Sequence, residues 1–281
     1  MFRILEKKML NPTIGKIVVE APRIATAALP GQFLIIRDEE KGERIPLTIS
    51  DSDPVKGTVT VVIQLIGASS RKMVEAFEAG DSYADVVGPL GNPSDFVKMS
   101  PEELGRQRYV FIAGGLGTAP VYPQAKWLHE HGVPVDVIIG ARMKDLLIYT
   151  EELAGACDNL YLCTDDGSVG FKGVGTAKLE ALVAEGRSYT RCVAIGPMIM
   201  MKFATLTCAK LDIPIVVSMN TLMVDGTGMC GACRVSVDGV TKFSCVDGPE
   251  FDGALIDWDE AMRRSRQYKP EEAAALENYG K

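Results

Sequence analysis

From the first residues to about Phe96 the apolar positions come in short runs, each broken by Gly, Pro or Asp. KIVVEA (16–21), QFLIIRD (32–38), IPLTISD (45–51), TVTVVIQLIG (58–67) and SYADVVGPLG (82–91) read as strands, and one short helix is expected near SSRKMVEAF (69–77). Strands at this spacing, with turn chemistry between them, predict a small antiparallel barrel.

From about Arg108 the rhythm changes. YVFIAG, VDVIIGA, NLYLCTDD, RCVAIG and PIVVSMN read as strands, alternating with helical patterns in TAPVYPQAKWLHEHG, YTEELAGAC, TAKLEALVAEG and MIMMKFATLTCAKL. That alternation predicts a parallel sheet with helices on both faces. Residues 221–253 are rich in Gly, Cys and Asp and lack a helical period, so something other than a large apolar core is expected to hold them. WDEAMRRSRQY and PEEAAALENYG read as terminal helices. The expected fold class is a β-barrel plus α/β, with a barrel over 1–98, a nucleotide-type α/β domain over 99–220, a small loop domain over 221–253 and a helical tail over 254–281.

Composition narrows the function. With 281 residues and 47% hydrophobic content, the chain is long enough for two domains and an appendage. A net charge of −7 argues against nucleic acid, which needs a concentrated basic face. Arg263, Arg264 and Arg266 read as a solvated helix surface. No apolar run approaches the roughly 18 residues of a membrane helix. The first twenty residues lack a signal peptide's apolar stretch and cleavage site. A soluble, cytoplasmic protein is expected.

Seven cysteines include only three close together, Cys230, Cys233 and Cys245, which suggests a ligand set and not a disulfide scaffold. Cys157, Cys163, Cys192 and Cys208 read as small buried apolar residues. His129 and His131, at a helix end, read as capping residues.

IAGGLGTAP (112–120) follows a strand and opens a helix. Gly114, Gly115 and Gly117 allow close backbone approach to a pyrophosphate, and Thr118 and Ala119 begin a helix whose free N–H groups favour an anion. A lone glycine turn is equally well explained by sterics. Two further turns, CTDDGSVGFKG (163–173) and AIGPMIMMK (194–202), fall at strand ends of the same sheet, where ligands of open α/β sheets sit. Gly196, Pro197 and Met198 therefore join the candidate dinucleotide site. Asp165 and Asp166 are ribose candidates, and equally turn residues before Gly167.

DGTGMCGACRVSVDGVTKFSC places Asp225, Cys230, Cys233 and Cys245 in the spacing of plant-type [2Fe–2S] loops, with Asp in the first position. Glycines 226, 228 and 231 allow the loop to wrap a cluster. The alternative is a structural zinc, but zinc knuckles usually present two close pairs, and this loop presents one.

A barrel, an α/β domain and a terminal cluster loop resemble the ferredoxin–NADP reductase superfamily. GGLGTAP, TDDGSVGFKG and the loop ending CVDGPEFDG resemble the electron-transfer subunits of dihydroorotate dehydrogenase B. Asp225, RIPLTIS and AIGPMIMMKF are similar to the small subunits of the electron-bifurcating NADH-dependent reduced ferredoxin:NADP oxidoreductases, also described as sulfide dehydrogenase beta subunits. The resemblance spans nearly the whole chain, and the cluster loop is its most specific part.

The resemblance implies FAD in the barrel, NAD(H) at the α/β domain and a [2Fe–2S] cluster. The flavin motif of these families is Arg-x-Tyr-Ser or Arg-Pro-Ile-Ser. Ile45, Pro46, Leu47 and Thr48 stand at its place, with Arg44 one position early. Val62, Ile63 and Gln64 match a strand along the flavin, and Gly67, Ser69 and Ser70 match a phosphate-binding helix start.

Flavin accepts a hydride and releases single electrons, so it belongs between nicotinamide and cluster, and no catalytic acid or base is expected. The implied partner is a larger flavin and iron–sulfur subunit, like the glutamate synthase small subunit, using NADP(H) and ferredoxin, in a heterodimer or higher assembly. The tail over 254–281 is expected to help dock it. A dihydroorotate dehydrogenase subunit is the nearest alternative. A redox or nucleotide sensor without turnover is the alternative from another class.

Overall fold

A computed structural model describes residues 1–279, so Gly280 and Lys281 of the expected tail lie outside the described residues. The first half forms β1 (Phe2–Asn11), β2 (Ile14–Glu20), α1 (Pro22–Ala27), β3 (Phe33–Arg37), β4 (Ile45–Asp53), β5 (Thr58–Gln64), α2 (Ala68–Glu75), β6 (Ser82–Tyr83) and β7 (Asp85–Leu90). These strands make one antiparallel sheet in the order β6-β1-β2-β5-β4-β3-β7. Only Ala84 separates the two edge strands, so the ends of the sheet meet and the barrel nearly closes.

Alternate residues face alternate sides of this wall. Ile17, Val19, Leu34, Ile36, Leu47, Val61 and Ile63 fill the barrel. Ile14 and Val62 point outward and join the core of the second domain. Neither β1 nor α1 was legible in the sequence. Along β1 only Ile4 and Asn11 are buried, so it carries no apolar stripe, and α1 has six residues, too few to show a period.

The second half continues with α3 (Pro101–Leu104), β8 (Tyr109–Gly114), α4 (Thr118–Glu130), β9 (Val135–Ala141), α5 (Thr150–Ala154), β10 (Asn159–Thr164), β11 (Phe171–Lys172), α6 (Gly175–Ala184), β12 (Arg191–Ile195), α7 (Met198–Lys210) and β13 (Ile215–Ser218). The hairpin β14 (Arg234–Val237) and β15 (Val240–Phe243) follows, then β16 (Glu250–Asp252), α8 (Trp258–Arg264) and α9 (Lys269–Asn278). The sheet order is β11-β10-β9-β8-β12-β13-β16, parallel except for β16. Phe111, Val137 and Ile139 pack against Val121, Ala125 and Leu128 of α4 on one face. Val110, Ile112 and Ile138 pack against Leu179, Leu182, Met201 and Ala204 on the other. Burial on both faces explains the unbroken apolar runs.

The cysteine-rich segment is tied to apolar cores after all. β16 adds an antiparallel edge to the large sheet, and Val235, with Val237 and Phe251, joins the core beneath α7, as Ile256, Trp258 and Ala261 of the tail also do. Short strands of three and four residues left no readable pattern. The tail divides: α8 packs on that core, whereas α9 buries none of its residues and reaches back to the barrel, where the Tyr279 hydroxyl donates to Glu75 Oε2 at 3.0 Å.

Glu250 sits where barrel, α4 and β16 meet. Its Oε1 accepts from Ser94 Oγ at 3.0 Å and from Gln124 Nε2 at 2.8 Å. Burial pushes its pKa from 4.5 up to about 7, and the side chain lines a cavity of about 320 Å³. The folded state thus holds a proton that the unfolded state releases between these two values. The contribution of Glu250 to stability is fully present below pH 4.5, falls as pH rises through the window, and is gone above 7. Glu250→Gln is expected to flatten that slope and to gain no more than about 3 kcal/mol at pH 8, measured by denaturant unfolding at pH 5 and pH 8.

Candidate functional site

The loop between β13 and β14 turns on glycines in the left-handed region, Gly226 (φ 82°), Gly228 (φ 88°) and Gly231 (φ 66°). A Cβ on Gly226 would stand 2.3 Å from Cδ1 of Ile35, so the loop passes directly over β3. Cys233 and Cys245 are buried, 3.2 Å apart at their sulfurs, and pack with Phe33 and Ile35. Cys230 lies on the exposed side of the loop.

Electrostatics divide the four candidate ligands the same way. Backbone N–H groups of Ala232 and Asp225 facing the Cys230 sulfur lower its pKa. Asp225 Oδ2 accepts from Thr227 Oγ1 at 2.5 Å, Thr227 N at 2.9 Å and Met229 N at 3.3 Å, which holds the carboxyl below its usual range. Burial, and then the neighbouring Cys233 thiol, push Cys245 up to about 12, while the Gly228 N–H faces its sulfur.

Among the described residues no three His, Cys, Asp or Glu side chains converge as a group able to hold a single metal ion. The donors form instead a buried pair, Cys233 and Cys245, and an outer pair, Cys230 and Asp225. Two pairs suit the two irons of a [2Fe–2S] centre, and N–H groups aimed at sulfur suit its negative charge. Ser244 Oγ, buried beside Cys245, has no hydrogen-bond partner among the described residues. The residues fit a cluster.

The flavin candidates lie on the adjoining barrel wall. In the β3–β4 ladder Phe33 stands opposite Thr48, and Ile35 opposite Pro46. Residues directly opposite share a face, so Pro46 and Thr48 occupy the outer face on which the cysteines pack. Ile45, Leu47 and Ile63 turn toward the barrel core, leaving only their backbone for a ligand. Val62 and Gln64 point out from β5, toward the second domain.

Gly67 caps α2, its N–H donating to Ser70 Oγ at 3.0 Å. Ser69 Oγ donates to Glu43 Oε2 at 2.5 Å, placing an anion at this helix start. Arg44 reaches toward the cluster loop. Its Nη2 donates to the Asp225 carbonyl at 3.3 Å.

The nucleotide turns meet only in part. A Cβ on Gly117 would lie 2.1 Å from the Ile195 carbonyl oxygen, and one on Gly196 would lie 3.1 Å from Gly114 N and O. The GGLG turn and the Gly196–Met198 turn therefore touch, beyond neighbouring strands β8 and β12. Thr118 Oγ1 is buried there without a partner among the described residues, and Gly115 takes φ 53°. Ala119 is buried below the turn. Asp165 and Asp166 stand beyond β10, two strands away from β8. Asp166 Oδ1 accepts from Ser168 N at 2.9 Å, the bond of a turn residue.

The remaining cysteines are buried, and burial pushes Cys157 up to about 12 and Cys163 up to about 11, so neither is a thiolate. His131 closes α4, its Nδ1 2.7 Å from the Trp127 carbonyl. Among the described residues no helix is long and apolar enough to cross a membrane.

Residues 220–257 match the iron-sulfur cluster binding domain of dihydroorotate dehydrogenase B. Over 276 residues the chain is 45% identical to the dihydroorotate dehydrogenase B (NAD(+)) electron transfer subunit homolog of Thermotoga maritima, covering 98% of this chain and 94% of that one. The chain belongs to this electron-transfer subunit family. It is also 56% identical to an uncharacterized protein of the adh 3′ region of Clostridium beijerinckii, over 98% of this chain and 93% of that protein. A chain from the structure of an NADH-dependent reduced ferredoxin-NADP oxidoreductase, determined for insight into flavin-based electron bifurcation, superposes with a TM-score of 0.92 at 42% identity, over 100% of this chain and 98% of that one. Family membership agrees with the expected barrel, α/β and cluster-loop architecture, and with FAD, NAD(H) and [2Fe–2S] as the cofactor set.

Proposed function

We propose that this electron-transfer subunit moves electrons between NAD(H), FAD and a [2Fe–2S] cluster, and exchanges them with a larger flavin and iron–sulfur partner that uses NADP(H) and ferredoxin in a bifurcating oxidoreductase. The observation that carries this reading is the shared outer face of β3 and β4. Phe33 and Ile35 pack the buried thiols and stand opposite Thr48 and Pro46, so the flavin-side residues and the cluster ligands are neighbours.

Bound flavin would supply the conversion between hydride pairs and single electrons. Thr48 offers its hydroxyl and Pro46 a rigid apolar edge to orient the ring. Val62 and Gln64 line the side facing the second domain. The Gly114–Ala119 turn and Gly196–Met198 would seat the nicotinamide dinucleotide against that face, with the Thr118 hydroxyl free to donate. Cys230, Cys233, Cys245 and Asp225 would hold the cluster, Asp225 as an ionised oxygen ligand.

Dihydroorotate oxidation through a different partner is the second reading, favoured by the cluster-domain match. Asp225 in the first ligand position favours the bifurcating reading. Anaerobic purification with the native partner separates the two by the partner's identity. The core of the proposal is tested by mixing the anaerobic protein with NADH in a stopped-flow instrument. Prompt flavin bleaching followed by a reduced-cluster paramagnetic signal is expected. NADH binding without bleaching would mark a sensor and overturn the proposal.

A further inference from the structure

We infer that Arg44 is a positioning residue for the Asp225 end of the cluster loop and not a ligand of the flavin pyrophosphate; the inference rests on the functional reading above. Arg44 lies one residue before β4 and four before Thr48, and the alternation of β4 continued back by one residue puts both on one face. An odd spacing would turn the arginine to the other side. Glu43 and Ile45 occupy the odd positions, and the Glu43 carboxylate accepts from Ser69 at the start of α2. The side of the strand that reaches the phosphate-type helix therefore carries an acid, and the arginine faces the cluster loop.

The contacts agree. Arg44 Nη2 donates to the Asp225 carbonyl oxygen at 3.3 Å, and Nη1 lies 3.9 Å from Asp85 Oδ2 on β7. Asp85 also pairs with Arg37, at 3.8 Å from Nη2. Two guanidinium groups share one carboxylate, so Asp85 does not fully neutralise Arg44, whose charge faces Asp225. Both Arg44 and Asp85 are about one-third exposed, so water screens this charge without abolishing it. The planar fork grips a backbone carbonyl and an acid together, which an ammonium group cannot do as well. Arg44 thus braces the loop against the barrel and favours the reduced, more negative form of a centre held at Asp225.

The test uses the whole protein with both cofactors, comparing wild type, Arg44→Met and Arg44→Lys. Flavin released by acid is expected to be equal in all three, which separates this role from a pyrophosphate contact. In a redox titration followed by the cluster's paramagnetic signal, Arg44→Met is expected to titrate at a more negative potential, with the reduced-to-oxidised ratio at a fixed potential falling on the order of 3- to 10-fold. Arg44→Lys is expected to keep most of the wild-type ratio. Loss of flavin from Arg44→Met, or a cluster titration unchanged in it, would overturn the inference. Wild-type protein lacking iron or flavin would overturn the functional reading beneath it.

Discussion

Cys245→Ser is expected to lose its iron while keeping its flavin. Cys245 is one of two buried sulfurs 3.2 Å apart, packed against Phe33 and Ile35. Serine presents a hydroxyl that hardly ionises near neutral pH and is a harder donor than thiolate, so it does not replace the bond. Loss of a mere outer-shell partner already costs about 10- to 100-fold in metal affinity, and loss of a ligand should exceed that. The Gly226–Gly231 loop then keeps its turn hydrogen bonds, the Arg44 bond to the Asp225 carbonyl and its close approach to Ile35. Because metal binding is coupled to folding, this loop should become the first part to open on heating. The flavin and nucleotide candidates lie outside the cluster loop, on β4, β5, the start of α2 and the turns that follow β8, β10 and β12, so reduction of flavin by NADH should survive. Delivery to a one-electron acceptor that draws on the cluster should fall more than about 100-fold. Iron analysis and stopped-flow absorbance check both halves. Full iron content in this variant would remove Cys245 from the ligand set.

The sequence disclosed what rests on period and spacing. Strands β8, β9 and β12 are buried on both faces, and their unbroken apolar runs announced them. The ligand spacing from Asp225 to Cys245 announced the cluster loop before any contact was known. What escaped notice depends on pairing partners far along the chain. β16 has three residues and becomes a strand only because β13 offers an edge. Phe33 and Ile35 looked like ordinary barrel residues, and their contact with Cys233 and Cys245 is set by how the loop folds back. Arg44 was noticed, but its direction follows from strand parity together with the position of Asp225, 181 residues away. Glu250 gave no signal at all, since its burial depends on Ser94 and Gln124 arriving from two other elements.

Gly117→Ala is expected to be the most damaging substitution in the nucleotide turn, and a purely steric one. Gly117 has φ −58°, a conformation any residue adopts. An added Cβ would lie 2.1 Å from the Ile195 carbonyl oxygen, 2.5 Å from its carbon and 2.8 Å from Gly196 Cα. All three are backbone atoms, so no side chain can rotate away, and the ends of β8 and β12 must separate. Overpacking of this kind costs typically 1–3 kcal/mol, occasionally more. It also shifts Thr118 away from Gly196–Met198, and misplacement by about 1 Å costs on the order of 100-fold in transfer rate. Gly115→Ala provides the contrast. Gly115 has φ 53° and nothing within 4 Å of its added Cβ, so it should lose about 1–2 kcal/mol from backbone strain with little loss of rate. Stopped-flow reduction by NADH, paired with denaturant unfolding, should therefore separate the two alanines in rate far more than in stability. Equal rates in both variants would mean that the contact between the two turns does not shape the nicotinamide site.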